Sequence, residues 1–150
     1  MEIMTFIQGK RKKLFTQDAC PNPAFRNTFQ TGEFRCTIKS IQITDKSNEI
    51  NLKEDERIIT FHIQFMNMNQ ETIDIYCEDF MFQNDKNTVV YPLLLATDTL
   101  LEKITIPSNM IYEASISFIG LSNAKYMTLK YQEYQEEWEG KIYKLKYAIP

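Results

Sequence analysis

Four glycines in 150 residues leave little from which to build a phosphate-cradling loop, and no GxGxxG, P-loop or GxSxG string occurs. Nucleotide binding of those kinds and hydrolysis from a nucleophile elbow are therefore poor readings. One histidine, His62, cannot assemble a His-rich zinc site or a His-paired proton relay with any redundancy. Three cysteines, Cys20, Cys36 and Cys77, form an odd set without a CxxC pair, so neither a zinc cluster nor a fully paired disulfide framework is signalled. Cys36 and Cys77 read first as small buried apolar residues and second as one cross-sheet bridge. Positive charge is also short: 17 Lys and Arg against 20 Asp and Glu give a net charge of −3, which supplies no global field for a nucleic acid.

Long apolar runs are missing as well. No stretch approaches the roughly 20 residues that cross a bilayer as a helix. The opening "MEIMTFIQGKRKKLF" places its basic cluster after a short apolar stretch, the reverse of a secretory leader. The chain as written carries no export signal and is expected in the cytoplasm; a removed leader would place it in the envelope or outside the cell. Low-complexity segments and internal repeats are absent too. The basic run at residues 10–13 reads as solvated surface before it reads as an anion site.

What remains is a period of two. Two prolines in "CPNPAF" mark residues 1–30 as an extension and residues 31–150 as one domain. In "FRCTIKSIQIT" Phe34, Cys36 and Ile38 share a face, and the alternation resumes one residue late at Ile41 and Ile43, which predicts a bulge near Lys39 to Ile41. "RIITFHIQFMN" alternates Ile59, Phe61, Ile63 and Phe65 with a second set that contains His62, so the imidazole is expected on the wet side. Burying those four side chains is worth roughly 8 kcal/mol before entropy is counted. Ile73 and Ile75, then Phe80 and Phe82, give two short strands or one broken strand, followed by a turn at residues 84–87 and a short strand at Val89 to Tyr91.

"LLLATDTLLEK" reads as a long crossing loop. A short strand then ends at Pro107, a longer one carries Tyr112, Ala114, Ile116 and Phe118 on one face, and two C-terminal strands join through "EEWEG", with Gly140 available for a positive φ. The sum is an all-β fold with little helix, an antiparallel immunoglobulin-like β-sandwich of about seven to nine strands that ends in a C-terminal hairpin.

The segments "TGEFRCTIKSIQIT", "RIITFHIQFMNMNQETIDIYCEDFMFQNDKNTVVY" and "AKYMTLKY", in that order over about residues 31–131, resemble a bacterial family of immunoglobulin-like domains of unknown function. The family's fold is similar to that of the mycobacterial immunoprotective extracellular protein. Many members are exported or lipid-anchored proteins of Gram-positive bacteria, so the resemblance implies an envelope location. It implies no catalytic residues. The chain departs from the pattern in lacking a leader or lipobox cysteine and in adding a tail from Gln132 to Pro150.

The chemistry at hand is sparse. Cys77 and His62 on adjacent strands would make a nucleophile pair, yet neither cysteine sits at a helix start that would stabilise a thiolate. Glu78 and Asp79 diverge if they lie on a strand, Glu133, Glu136 and Glu137 read as a solvated turn, and Glu49, Glu54, Asp55 and Glu56 lack the alternation of a calcium loop. No catalytic residue, metal or cofactor is expected. In the tail, Tyr143, Leu145 and Tyr147 share one face, where they would cover the core; the other reading makes Tyr134, Trp138, Tyr143 and Tyr147 the anchors of a partner surface. The function expected is a non-catalytic binding or accessory module that engages a protein partner through loops and the hairpin. The alternatives are a small hydrolase or carbohydrate-active protein using acidic loops, and a structural subunit that pairs an edge strand with a neighbour or with its own kind.

Overall fold

The computed structural model describes residues 27–86, 88–135 and 138–148, and it does not describe the side chains of residues 134, 135, 138 and 139. Residues 1–26, with the basic run and Cys20, lie outside the described residues. Among the described residues ten strands alternate with turns: β1 (Thr28–Gln30), β2 (Phe34–Thr44), β3 (Glu56–Asn67), β4 (Ile73–Tyr76), β5 (Phe80–Asn84), β6 (Val89–Val90), β7 (Lys103–Ile106), β8 (Ile111–Leu121), β9 (Tyr126–Gln135) and β10 (Trp138–Ala148). Among the described residues the only helical element is a single 3-10 turn, Cys77–Asp79, between β4 and β5.

Every pairing is antiparallel. One sheet runs β1-β2-β3-β8, a second runs β10-β9-β5-β6, and β4 pairs with β7 in a two-stranded ribbon. The inner faces carry the alternating apolar residues, so the core is a sandwich filling. Phe34, Cys36, Ile38 and Ile41 of β2 and Ile59, Phe61, Ile63 and Phe65 of β3 are all buried. The phase slip in β2 appears as a break in register between Ile38 and Ser40. It keeps both halves of the strand facing inward, as a bulge does.

Rings from both sheets meet in the middle. Phe61 and Phe118 stand edge to face at 5.9 Å, and Phe82 of the second sheet lies flat against Phe118 at 5.5 Å. Such pairs add about 0.5–1.5 kcal/mol each beyond the area they bury. Cys36 and Cys77 are buried free thiols, so the cross-sheet bridge is not formed. Asn67 is also fully buried and fully used: its amide nitrogen donates to the carbonyls of Glu71 and Ile106, both at 2.9 Å, and its Oδ1 accepts from Asn69 N. It ties the end of β3 to β7. Asn84 Oδ1 accepts from the amides of Lys86 and Thr88, closing the turn into β6.

Two expectations are corrected. Gly140 has no positive φ; its lack of a side chain serves a close approach to Glu133 beside the register break of the β9–β10 hairpin. Trp138 opens β10 in register with Gln135, so its backbone belongs to a strand and not to the turn.

Candidate functional site

Period two sends Tyr143, Leu145 and Tyr147, two of the four anticipated partner contacts among them, to the inner face of β10. Tyr147 is fully buried in the core. Tyr143 is half-buried and lies flat on Phe29 at 5.2 Å, where it seals the margin between β1 and β10. Its hydroxyl faces Glu133, and burial first, then that carboxylate, raises its pKa. Tyr147 is spent on packing, whereas Tyr143 packs through one face and borders, with Lys141 and Ile142, an open cleft beside β1. The side chains of Tyr134 and Trp138 lie outside the described residues.

Exposed apolar surface gathers elsewhere, where the end of β4 and the 3-10 turn meet segment 91–102. Tyr76 (39% exposed), Tyr91 (64%), Leu94 (53%) and Leu101 (46%) surround an open groove of about 460 Å³. Pro92 and Cys77 also line it, and among the described residues Glu78 and Glu102 supply its formal charges. The groove's walls are held by the backbone: Cys77 N donates to Glu102 O at 2.9 Å. Leu94 adopts φ 58°, a left-handed conformation that costs a branched side chain roughly 1 kcal/mol or more. That strain turns an apolar side chain outward instead of hiding it.

Segment 91–102 is fastened along the edge of β8. Leu93 N donates to Ser117 O, while Thr99 N and Leu100 N both donate to Ser115 O. The Asp98 carboxylate is buried beneath the segment and accepts from Leu95 N at 3.0 Å and from Ser117 Oγ at 2.7 Å. Thr60 Oγ1 lies 2.8 Å from the same serine hydroxyl. Glu49 reaches across from the β2–β3 loop to accept from Ala96 N at 3.0 Å.

His62 therefore stands on the outer face of its sheet, as the alternation requires, but under cover. It lines a cleft of about 260 Å³ with Gln42, Glu49 and Thr60, roofed by Leu95 and Thr97. Burial lowers its pKa from 6.5, and the Asp98 charge opposes part of that shift. His62 Nε2 lies 3.4 Å from Gln42 Oε1, whereas the Ser117 hydroxyl is engaged by Asp98. Cys77 lines the other groove, with its thiol pushed up to about 11 by burial and then by the Asp98 and Glu78 charges, away from thiolate chemistry. Glu78 and Asp79 lie in the 3-10 turn rather than on a strand, and burial followed by the Glu78 charge raises the Asp79 pKa. No cluster of three His, Cys, Asp or Glu able to hold a metal occurs among the described residues.

The strand alternation gave no sign of this groove, because its walls come from a loop, a 3-10 turn and one strand end. The sequence signal was three consecutive leucines, Leu93 to Leu95, after a proline in a loop: only Leu95 is buried, and Leu94 is left facing solvent.

No family model matches the chain, and no curated protein matches it. Among solved structures, the fold is similar to that of a candidate lipoprotein, YcdA, of Bacillus subtilis (TM-score 0.66, 15% identity), over 82% of this chain and 38% of that one. The chain thus spans well under half of that protein. A functionally unknown protein of Listeria monocytogenes (TM-score 0.61, 8% identity) matches over 84% of this chain and 83% of its own. The YjhA protein of Bacillus subtilis (TM-score 0.56, 17% identity) matches over 69% and 77%. Identities this low carry the all-β fold and nothing of function.

Proposed function

We propose that this chain is a non-catalytic binding module, an immunoglobulin-like sandwich that holds a protein partner in the groove between Tyr76 and Tyr91. The observation that carries the reading is Leu94. A leucine held in a left-handed conformation with half its surface in water is costly to backbone and side chain alike, and neither cost helps the fold. Around it stand two exposed tyrosines, one of the residue types enriched among partner anchors.

A hydrolytic alternative would have to work in the cleft beside Glu49 and His62. There the imidazole faces Gln42 and the nearest buried serine is committed to Asp98, so binding is the better-supported reading. The likeness to a candidate lipoprotein supports an envelope location, with the partner at the cell surface.

The test is capture of a cross-linked partner by the wild-type chain, Tyr91→Ala and Leu94→Gly, with the unfolding midpoint measured for each. Loss of the partner by both variants at unchanged or higher stability supports the groove. Retention by both overturns it.

A further inference from the structure

We infer that the ligand of the Tyr76–Tyr91 groove is a proline-rich segment in the polyproline II conformation with a basic side chain at one end. The inference rests on the groove being the binding site and goes on to name the chemistry that fills it.

Two main-chain donors of the groove's walls are already taken. A partner that adds as a strand needs a row of unpaired backbone groups. At this groove Cys77 N is bound to Glu102 O, and Leu93 N is bound to Ser117 O on the edge of β8. The walls present side-chain faces: the rings of Tyr76 and Tyr91, the pyrrolidine of Pro92 and the outward Leu94. Flat aromatic and apolar faces separated by a furrow suit a ligand that presents ridges of its own. A polyproline II helix does so with three residues per turn and about 9 Å between successive ridges. It has no internal hydrogen bonds, so its carbonyls are open to donors such as tyrosine hydroxyls, and its backbone loses little freedom on docking.

Charge sets the direction. Glu78 and Glu102 are the groove's charged residues, and Lys103, next to Glu102 in the chain, is turned to Asp74 across the β4–β7 ribbon at 4.0 Å. Among the described residues the rim is left acidic, which favours a ligand with Arg or Lys at its end and repels an acidic one.

The test is a fluorescence-anisotropy titration of the full chain with a labelled peptide holding a PxxP core and two flanking arginines. The controls have the prolines replaced by alanine or the arginines by glutamate. Saturable binding is expected, weakened at least tenfold by either control, by Tyr91→Ala and by the E78Q/E102Q pair, and weakened by added salt for the arginine peptide. Absence of saturation, or equal binding by the alanine control, would overturn the inference. If no peptide binds while Tyr91→Ala still abolishes capture of a partner protein, this inference falls and the groove reading stands. If Tyr91→Ala changes neither, both fall.

Discussion

Ser117 Oγ donates a 2.7 Å hydrogen bond to the Asp98 carboxylate, joining a fully buried hydroxyl on β8 to the segment that carries Leu94 and Leu101. The segment follows no regular strand or helix, so this pair, with Asp98 holding Leu95 N at 3.0 Å, locks the loop's shape.

Asp98→Ala should consequently cost more than a surface carboxylate would. It strands the Leu95 amide and takes the charged acceptor from the Ser117 hydroxyl, which keeps Thr60 Oγ1 at 2.8 Å as a partner, for about 2–3 kcal/mol in all. Urea denaturation measures the loss, and hydrogen exchange should accelerate first at Leu95, Thr99 and Leu100. Peptide or partner binding should weaken too, because Leu94 loses its seat. A variant as stable as wild type with unchanged exchange would show that the segment is held by its backbone bonds alone.

His62 gives the fold a pH dependence of known sign. Its pKa is lowered in the folded state, mainly by burial, so below 6.5 the unfolded chain binds the proton more readily. Stability is therefore unaffected by this group above its unfolded value. It falls as pH drops from about 6.5 to the folded value, and the penalty is complete below that. Lys39 from β2, Lys46 and Glu49 from the following loop, Asp98 from segment 91–102 and Glu113 from β8 stand around the two clefts that His62 lines, or act on it, and Asp98 limits the shift. His62→Gln should flatten the difference in unfolding free energy between pH 7.5 and pH 5.5. An undiminished slope in the variant would assign the acid limb to other groups.

How much of this was legible can be read from particular residues. The alternation of β3 placed Phe61 and His62 on opposite faces because a strand's geometry leaves no other choice. The bulge in β2 showed as a slipped phase for the same reason. His62 being sheltered did not show, since a loop distant in sequence roofs it, and periodicity carries no information about long-range cover. Tyr147 was ambiguous for a related reason. An inward tyrosine at the end of a chain fits a core or an interface equally, and only the opposing Phe61, 6.1 Å away, decides for the core. The left-handed Leu94 was out of reach, because nothing about a leucine in sequence announces a positive φ.

The two described thiols should be nearly inert in the folded protein. Cys36 is wholly buried with its pKa raised well above the usual thiol value, and the Cys77 thiol is pushed up to about 11. In a Cys20→Ser background, iodoacetamide at pH 8 should modify neither until denaturant is added, since the thiolate is the reacting form. Rapid native labelling of Cys77 would mean that the groove opens to its floor.

Glycine substitutions should rank by what a new methyl group meets. At Gly32 there is open space, and alanine should be neutral or add up to about 1 kcal/mol by restricting the unfolded chain. At Gly120 the Cβ would approach Ile59 Cγ1 at 2.8 Å, a side-chain contact in which the buried, branched isoleucine has to shift, at a cost of about 1–2 kcal/mol. At Gly140 it would meet Glu133 O at 2.6 Å and Glu133 C at 3.0 Å, both backbone atoms of the paired strand. Relief there requires moving β9 against β10, so about 2–3 kcal/mol should be lost. Because Tyr143 and Tyr147 lie just beyond on the same strand, the damage should reach the core margin at Phe29. Thermal unfolding of the three alanine variants gives the order directly. Gly140→Ala at wild-type stability would mean that the hairpin's register break does not depend on the close passage of the two chains.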